Sequence, residues 1–373
     1  MKVTLSTNKL KEMVARSVKG ASNNKLLPIT SLMAIELKNG TLTLITTDAT
    51  NYLYIKEEHI IGEDFSVTVP VDLFSKLIAK MTCDNVVLDF NSSVGVLSVK
   101  GNGNYKIDLP VDENGQLIKY PNPLSTIQES DEAVEYLLNR STVQVILETI
   151  KPALATTLEE PCYTGYYVGD KVVATDTYKI ASMNIPIFDD AKLVSAELMD
   201  LLSVMIEEKI NVTVYGNTVV FKTNDCIVYG AFMENVDEYA IDAISDLIES
   251  DFTSMCKIPK SSLLQLLDRL ALFVGPYDKN GIKLIFTNEG LEISSKASNG
   301  VELIEYLGSE NFQVFTCDID IEMLKQEVKA IQSDVLELYY GLDNGIKFVD
   351  GNITIIIALL ENSDISDDEL PFE

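Results

Sequence analysis

Three acidic residues alternate at one place in the chain, as the ligands of a metal site would. Asp318, Asp320 and Glu322 are each two residues apart, and such carboxylates can bind the Mg²⁺ of a nuclease. They also open a segment of helical spacing, where carboxylates cap the first turn and complement the helix dipole. Helix capping is therefore the favoured interpretation, and a metal nuclease using Asp318 and Asp320 is the weaker one.

Other catalytic arrangements are missing from the sequence. The single histidine, His59, lies in a charged stretch and cannot form a histidine-based metal cluster. There is no phosphate-binding loop and no dinucleotide fingerprint, and the glycine-rich residues 101–104 lie between two β-patterned runs, which predicts a hairpin turn. No nucleophile, base and orienting group come together. We therefore expect a protein that is not an enzyme and has no metal and no cofactor.

The cysteines also fail to indicate a site. They are five in number, scattered, and never in a Cys-x-x-Cys pair: Cys83, Cys162, Cys226, Cys256 and Cys317. This pattern argues against a disulfide framework and against structural zinc. The sequence has no signal-peptide pattern and no apolar run of about 18 residues. The expected location is therefore cytoplasmic, with no membrane partner.

Length and charge limit the class of protein. The chain has 373 residues, 46% of them hydrophobic, which suits two or three folded domains. Its net charge of −28 predicts a protein that repels nucleic acid on average. Any contact with DNA would need a local basic surface.

The chain contains an internal repeat. A turn, a short apolar strand and a Thr-Asp pair or its stand-in recur in residues 39–48, 169–176 and 288–295. The spacing of about 120–130 residues is one small domain. Apolar residues at helical spacing predict two helices per unit. They lie at about 6–22 and from 71 in the first unit, at 141–155 and 195–208 in the second, and at 260–273 and 319–331 in the third. Pro152 is expected to kink or shorten the third of these helices.

The predicted fold class is α+β, with three repeated domains that each pack two helices on antiparallel sheet. The predicted limits are 1–125, 126–252 and 253–361, followed by an acidic tail over 362–373. Residues 111–123 and 234–254 are the candidate linkers because they are rich in residues that favour turns.

Several short segments resemble the bacterial sliding clamp, the β subunit of DNA polymerase III. Leu27-Pro28-Ile29, then residues 37–48 and 67–70, resemble the opening of that family. Residues 173–180 resemble its Thr-Asp-Gly-His-Arg-Leu signature, with Thr177, Tyr178 and Lys179 in place of Gly, His and Arg. Residues 355–360 lack the family's proline. The order of the matches over residues 1 to about 361 resembles a divergent clamp, for instance one from a phage.

The resemblance implies three clamp domains per chain and a head-to-tail homodimeric ring around duplex DNA. Such a processivity factor holds DNA topologically and without sequence specificity, and it tethers DNA polymerase, a clamp loader and other proteins with clamp-binding motifs. Twelve helices would line the hole. The candidate DNA contacts on or beside the helices are Lys9, Lys11, Arg16, Lys19, Lys25, Lys76, Lys80, Lys151, Arg269, Lys325 and Lys329.

The resemblance also implies two protein-binding surfaces. An apolar groove between the second and third domains would bind partner peptides through Tyr163, Thr175, Thr177, Tyr178, Lys179, Ile180, Ile346, Ile356, Ile357, Ala358, Leu359 and Leu360. The dimer interface would join Tyr105 and Ile107 of one chain to Phe273 and Val274 of the other.

The acidic tail carries two apolar residues, Leu370 and Phe372. It resembles the tip of bacterial single-stranded-DNA-binding proteins, which predicts docking in a partner's basic pocket or in this chain's own groove. A merely solubilising tail is the alternative. For the whole chain, the alternative is a clamp-fold decoy or regulator that binds replication proteins without encircling DNA.

Overall fold

The computed structural model describes residues 1–127, 133–275, 280–296 and 299–360. The described chain forms two compact units. The first contains Met1–Gln144 and Glu197–Phe232, and the second contains Val145–Ala196 and the residues from Met233 onward. The tail motif, Leu370 and Phe372, lies outside the described residues.

Strand is the most common regular secondary structure in the described chain. The first nine strands are β1 (Lys2–Ser6), β2 (Leu32–Lys38), β3 (Thr41–Thr47), β4 (Tyr52–Glu57), β5 (Phe65–Pro70), β6 (Asn85–Asn91), β7 (Val96–Lys100), β8 (Asn104–Asp108) and β9 (Val134–Asn139). The next seven are β10 (Gly165–Val168), β11 (Val172–Thr175), β12 (Lys179–Met183), β13 (Lys192–Ser195), β14 (Lys209–Tyr215), β15 (Thr218–Lys222) and β16 (Cys226–Ala231). The last nine are β17 (Ser254–Pro259), β18 (Gly281–Phe286), β19 (Leu291–Ser295), β20 (Val301–Ile304), β21 (Gly308–Glu310), β22 (Phe315–Asp320), β23 (Val335–Leu342), β24 (Gly345–Asp350) and β25 (Ile353–Ala358).

The α-helices are short. They are α1 (Thr7–Ser17), α2 (Val71–Ala79), α3 (Arg140–Val145), α4 (Ala196–Leu202), α5 (Ile241–Glu249), α6 (Lys260–Leu270) and α7 (Ile321–Ala330). The sequence pattern placed six of them. In α1, Leu10, Met13 and Val14 are buried as their spacing predicts, and each contributes roughly 1.5–3 kcal/mol by leaving water.

Three of the predicted elements differ from the observed ones. The helix predicted over 141–155 is α3 followed by a π turn and a 3₁₀ turn, and Pro152 lies in the latter because it has no N–H to continue the helix. The helix predicted over 195–208 ends already at Leu202. The predicted linker over 234–254 contains an unpredicted helix, α5, which packs Ile244 into the core.

The strands form four antiparallel sheets. The first unit contains the orders β1-β6-β7-β8 and β5-β2-β3-β4-β16-β15-β14-β9. The second unit contains β20-β19-β18-β22 and β13-β10-β11-β12-β25-β24-β23-β17-β21. The fold is thus α+β with antiparallel sheets, as predicted.

The order of elements repeats three times, beginning at β1, β9 and β17. Each copy has one strand, a helix, four strands, a second helix and three strands, with α5 and the short β21 as additions. Thus β4, β12 and β20 are equivalent strands, and so are β8, β16 and β25. The domain limits at 125, 252 and 361 remain predictions.

The Thr-Asp turns repeat in atomic detail. Thr47 Oγ1 donates to Asn51 O over 2.6 Å, and Thr175 Oγ1 donates to Lys179 O over 2.6 Å. The residue after each Thr-Asp pair, Ala49 or Thr177, donates its N–H to the threonine hydroxyl over 3.0 Å. The third copy differs, because Ser295 Oγ accepts from Asn299 N and Gly300 N, four and five residues later. In each copy the recurring pair therefore lies at the start of a turn. The three turns lead into β4, β12 and β20 respectively.

Candidate functional site

The basic residues of the first unit lie on or after α1 and α2, and several are paired with carboxylates. Lys9 Nζ is 2.9 Å from Glu57 Oε2, and Lys76 Nζ is 2.6 Å from Asp72 Oδ1. Lys76 also lines a cavity of about 400 Å³ between the two helices, opposite Lys11. The two helices therefore bring Lys11 and Lys76 together, but a carboxylate offsets the charge of Lys76.

Arg16 is a structural residue in this unit. Its guanidinium donates to Asp225 Oδ2 over 2.6 Å and to Val204 O over 3.1 Å, and its side chain is mostly covered. Burial lowers the pKa of Arg16, but the hydrogen bond and charge of Asp225 outweigh it and raise the pKa overall. These contacts leave Arg16 little freedom to reach DNA.

The basic residues of the second unit show the same pairing. Lys325 Nζ is 2.5 Å from Asp268 Oδ1, and Arg269 Nε donates to Glu302 Oε1 over 2.8 Å. Lys325 and Lys329 also line a cavity of about 540 Å³ on α7 with Glu322. Lys151 is half-buried in the 3₁₀ turn.

Five of the predicted DNA contacts have no ion pair among the described residues, and all of them are at least partly exposed. They are Lys11, Lys19, Lys25, Lys80 and Lys329. Any electrostatic attraction to phosphate depends mainly on these lysines.

The predicted groove residues all belong to the second unit, but most of them are buried. Thr175, Tyr163, Ile180, Ile346, Ile356 and Ile357 are each less than a tenth exposed. Ile180 pairs with Ile356 across β12 and β25, and Ile346 pairs with Ile357 across β24 and β25. These residues form strand core, whereas Ala358, Leu359 and Leu360 are half-buried.

A residue that the sequence did not single out packs in the same core. Tyr239, just before α5, is 3% exposed and belongs to the same cluster as Ile180 and Ile356. Its ring centroid lies 5.0 Å from that of Tyr163, and its hydroxyl donates to Val173 O over 3.2 Å. Desolvation raises the pKa of Tyr239 well above its usual value. The helical spacing of Ile241, Ile244 and Ile248 was the signal that could have revealed this segment.

Lys179 is buried in an ion pair. It is 4% exposed, and its Nζ donates to Pro152 O over 2.7 Å and lies 3.3 Å from Glu327 Oε1. Glu327 is fully buried on α7, and burial raises its pKa to about 7 although the Lys179 charge acts in the opposite direction. The family signature suggested that Lys179 is a groove residue. In the structure its ion pair with Glu327 connects β12 to α7.

Of the predicted groove residues, only Thr177 and Tyr178, at the tip of the Thr-Asp turn, are exposed. Thr177 has φ = 75°, a left-handed conformation that favours glycine, which is the residue of the resembling signature at this position. Tyr178 is 61% exposed. Together with Tyr163 and three carboxylates it lines a cavity of about 410 Å³.

The predicted interface residues lie at or near two sheet edges. Tyr105 and Ile107 are on β8, which pairs only with β7 among the described strands, and Tyr105 is 42% exposed. Phe273 is half exposed after α6. The sequence missed β20, which pairs only with β19 among the described strands and exposes Val301 and Leu303.

Other classes of site receive no support from the described part of the chain. No cluster of three or more metal-ligating side chains occurs there. Asp320 caps α7 instead, since its carboxylate accepts from Glu322 N and Met323 N. Burial raises the pKa of the Cys226, Cys256 and Cys317 thiols to about 12. None of the described helices is long and apolar enough to cross a membrane.

Solved structures share this fold over nearly the whole chain. The DNA polymerase III β chain of Streptococcus pneumoniae matches with a TM-score of 0.83 and 15% identity, covering 96% of this chain and 99% of that chain. This chain has the sliding-clamp fold. The sliding clamp of Bacillus subtilis and the β subunit of Thermotoga maritima each match with a TM-score of 0.82 and 17% identity, over the same shares of both chains.

The sliding-clamp fold is shared here at very low sequence identity. No family model matches the chain, and no curated protein matches it.

Proposed function

We propose that this protein is a DNA sliding clamp that encircles duplex DNA as a head-to-tail homodimer and tethers a polymerase and other replication proteins. The three repeated domains carry no assembled catalytic group in the sequence, which suits a tether. The observation that carries the proposal is the pattern of open sheet edges.

Two of three equivalent strand junctions are closed within the chain. In the first unit β4 pairs with β16, as in Leu53 opposite Val228. In the second unit β12 pairs with β25, as in Ala181 opposite Ile355. The remaining equivalents, β20 and β8, each end a four-stranded sheet. Antiparallel pairing of β20 with β8 of a second chain would extend the same repeat and satisfy both edges.

The proposed ring follows from continuing this repeat head to tail. Two three-domain chains would place six domains in a ring, as the resemblance implies, with the helices inside. DNA in such a ring is retained topologically, so phosphate contacts can be few and without base readout. Sparse attraction also suits a chain of net charge −28.

Retention on closed DNA tests the proposal directly. Protein loaded onto nicked circular duplex should remain bound during gel filtration in high salt, and it should be lost after the circle is linearised. A clamp-fold decoy or regulator would bind replication proteins but dissociate equally from both DNA forms. The many carboxylate-paired basic residues favour this second candidate, and equal loss from circles and linear DNA would establish it over the first.

Transient DNA contact is expected to depend on the unpaired lysines. Changing Lys11, Lys80 and Lys329 to Glu should weaken association roughly tenfold or more and flatten its salt dependence, since each lost phosphate contact removes about 0.9 from the slope. Lys38, Lys119 and Lys209, also exposed, give a control triple with the same change in net charge. Fluorescence anisotropy with a labelled duplex in a salt series measures both. Equal effects of the two triples would contradict the assignment.

A further inference from the structure

The cavity beside Tyr178 is built by two turns of the second unit. One is the segment that precedes Tyr163, and the other is the Thr-Asp turn at 175–178. The wall contains the rings of Tyr163 and Tyr178, and Tyr178 is exposed enough to stack on an incoming side chain. Tyr163, Thr177 and Tyr178 are predicted groove residues, so we take this cavity as the open part of the groove through which the proposed clamp would bind partner peptides.

Most of the apolar residues predicted for the groove are buried in the core. Tyr239 packs in one buried cluster with Ile180 and Ile356, and its ring stands edge-on to Tyr163. Ile180 and Ile356 are each less than a tenth exposed, so a partner side chain can contact little of their surface. Recognition at the cavity therefore depends on the two exposed turns rather than on a large apolar anchor.

Charge distinguishes the lining of the cavity. It includes Glu159, Glu160 and Asp176 and no basic residue. Glu159 and Glu160 are exposed. Lys179 lies 3.5 Å from Asp176 Oδ2, but this lysine is buried and also faces Glu327. The opening thus presents negative charge beside an aromatic ring.

We infer that the peptide segment recognised here is basic. This inference rests on the proposed function of the groove and adds the chemistry of its partner. A lysine or arginine lies with its aliphatic stem along the Tyr178 ring and its charge between Glu159, Glu160 and Asp176. Arginine or lysine over an exposed aromatic ring gains both cation–π and ion-pair attraction.

The same charge pattern argues against the chain's own tail as the occupant. Its last seven residues, 367–373, contain four carboxylates around Leu370 and Phe372. Like charges repel across an interface and suppress wrong partners. We therefore expect an acidic peptide such as the tail sequence to bind this cavity poorly and a basic peptide to bind it better.

A matched pair of labelled peptides tests this inference on the full-length protein. One peptide is the tail sequence Asp-Asp-Glu-Leu-Pro-Phe-Glu, and the other replaces each acidic residue with lysine. By fluorescence anisotropy in low salt the basic peptide should bind at least about tenfold more tightly, and the difference should shrink as salt screens the charges. Tyr178→Ala should weaken binding of the basic peptide.

Charge reversal separates a local site from general attraction to an acidic protein. Glu159→Lys with Glu160→Lys should weaken binding of the basic peptide about tenfold. The control, Asp189→Lys with Asp190→Lys, makes the same change at exposed residues of the same unit and should leave its affinity nearly unchanged.

Three results would overturn the inference. They are tighter binding of the acidic peptide, equal effects of the two charge reversals, and binding of neither peptide. If neither peptide binds while the protein is still retained on circular DNA, the basic-partner inference fails and the proposed ring stands. Loss of DNA retention with intact selectivity for the basic peptide would instead reject the ring alone.

Discussion

Replacing Lys179 with methionine should lower the free energy of unfolding by about 3–5 kcal/mol at pH 8, because it leaves a buried carboxylate without its partner. Glu327 is fully buried, and its carboxylate oxygens accept no hydrogen bond among the described residues. Only the Lys179 ammonium compensates its charge there. The substitution also removes the hydrogen bond to Pro152 O. Urea denaturation followed by tyrosine fluorescence is suitable, as the chain has no tryptophan.

The penalty should shrink at pH 5. Burial raises the pKa of Glu327 to about 7, so the folded protein keeps this proton at pH 5 and the loss of Lys179 then strands no charge. The pKa of Glu327 is higher in the folded protein than in the unfolded chain. This carboxyl therefore contributes most to stability at pH values below its pKa in the unfolded chain. Its contribution is lost as the pH rises towards about 7.

Two further variants make the interpretation specific. Lys179→Met combined with Glu327→Leu should recover most of the stability, because an apolar pair can replace a buried ion pair at little cost. Lys209→Met, at an exposed strand position, should change stability by less than about 0.5 kcal/mol. A Lys179→Met protein with normal stability at pH 8 would contradict the structural role of this pair.

Leu303→Lys should convert the proposed dimer to monomer at concentrations where the unchanged protein would be dimeric. Leu303 is 48% exposed on β20, the free edge of its sheet. Its burial against a second chain would contribute roughly 1.5–3 kcal/mol, and lysine on an edge strand opposes pairing. A tenfold or greater rise in the dimer dissociation constant follows, since each 1.4 kcal/mol is about a factor of ten. Sedimentation over a dilution series measures it.

The opposite edge and a distant apolar residue complete this test. Tyr105→Lys on β8 should have the same effect. Phe273→Ala with Val274→Ala should also weaken the proposed dimer, because it shortens two apolar side chains without adding charge. Val314→Lys, at an exposed residue outside the strands, should leave the mass unchanged. If the edge variants keep the mass of the unchanged protein, β8 and β20 do not form the interface.

The sequence by itself determined the repeated α+β fold. Strand and helix periods are local properties, so α1, α2, α6 and most hairpins follow from spacing. The Thr-Asp turn is equally local, because its bonds join residues at most four apart. Pro152 likewise ends a helix through its own missing N–H.

Tertiary structure alone decided which charged and apolar residues remain available for function. Arg16 is paired with Asp225, 209 positions away, and Lys179 reaches Gln326, 147 positions away. Tyr239 shares a buried cluster with Ile180, a residue far from it in the sequence. Burial and ion pairing depend on which elements meet in space, whereas a motif fixes only its own neighbours along the chain. The order of residues therefore specified the fold, and the packing of distant elements decided that the candidate groove is small, acidic and centred on Tyr178.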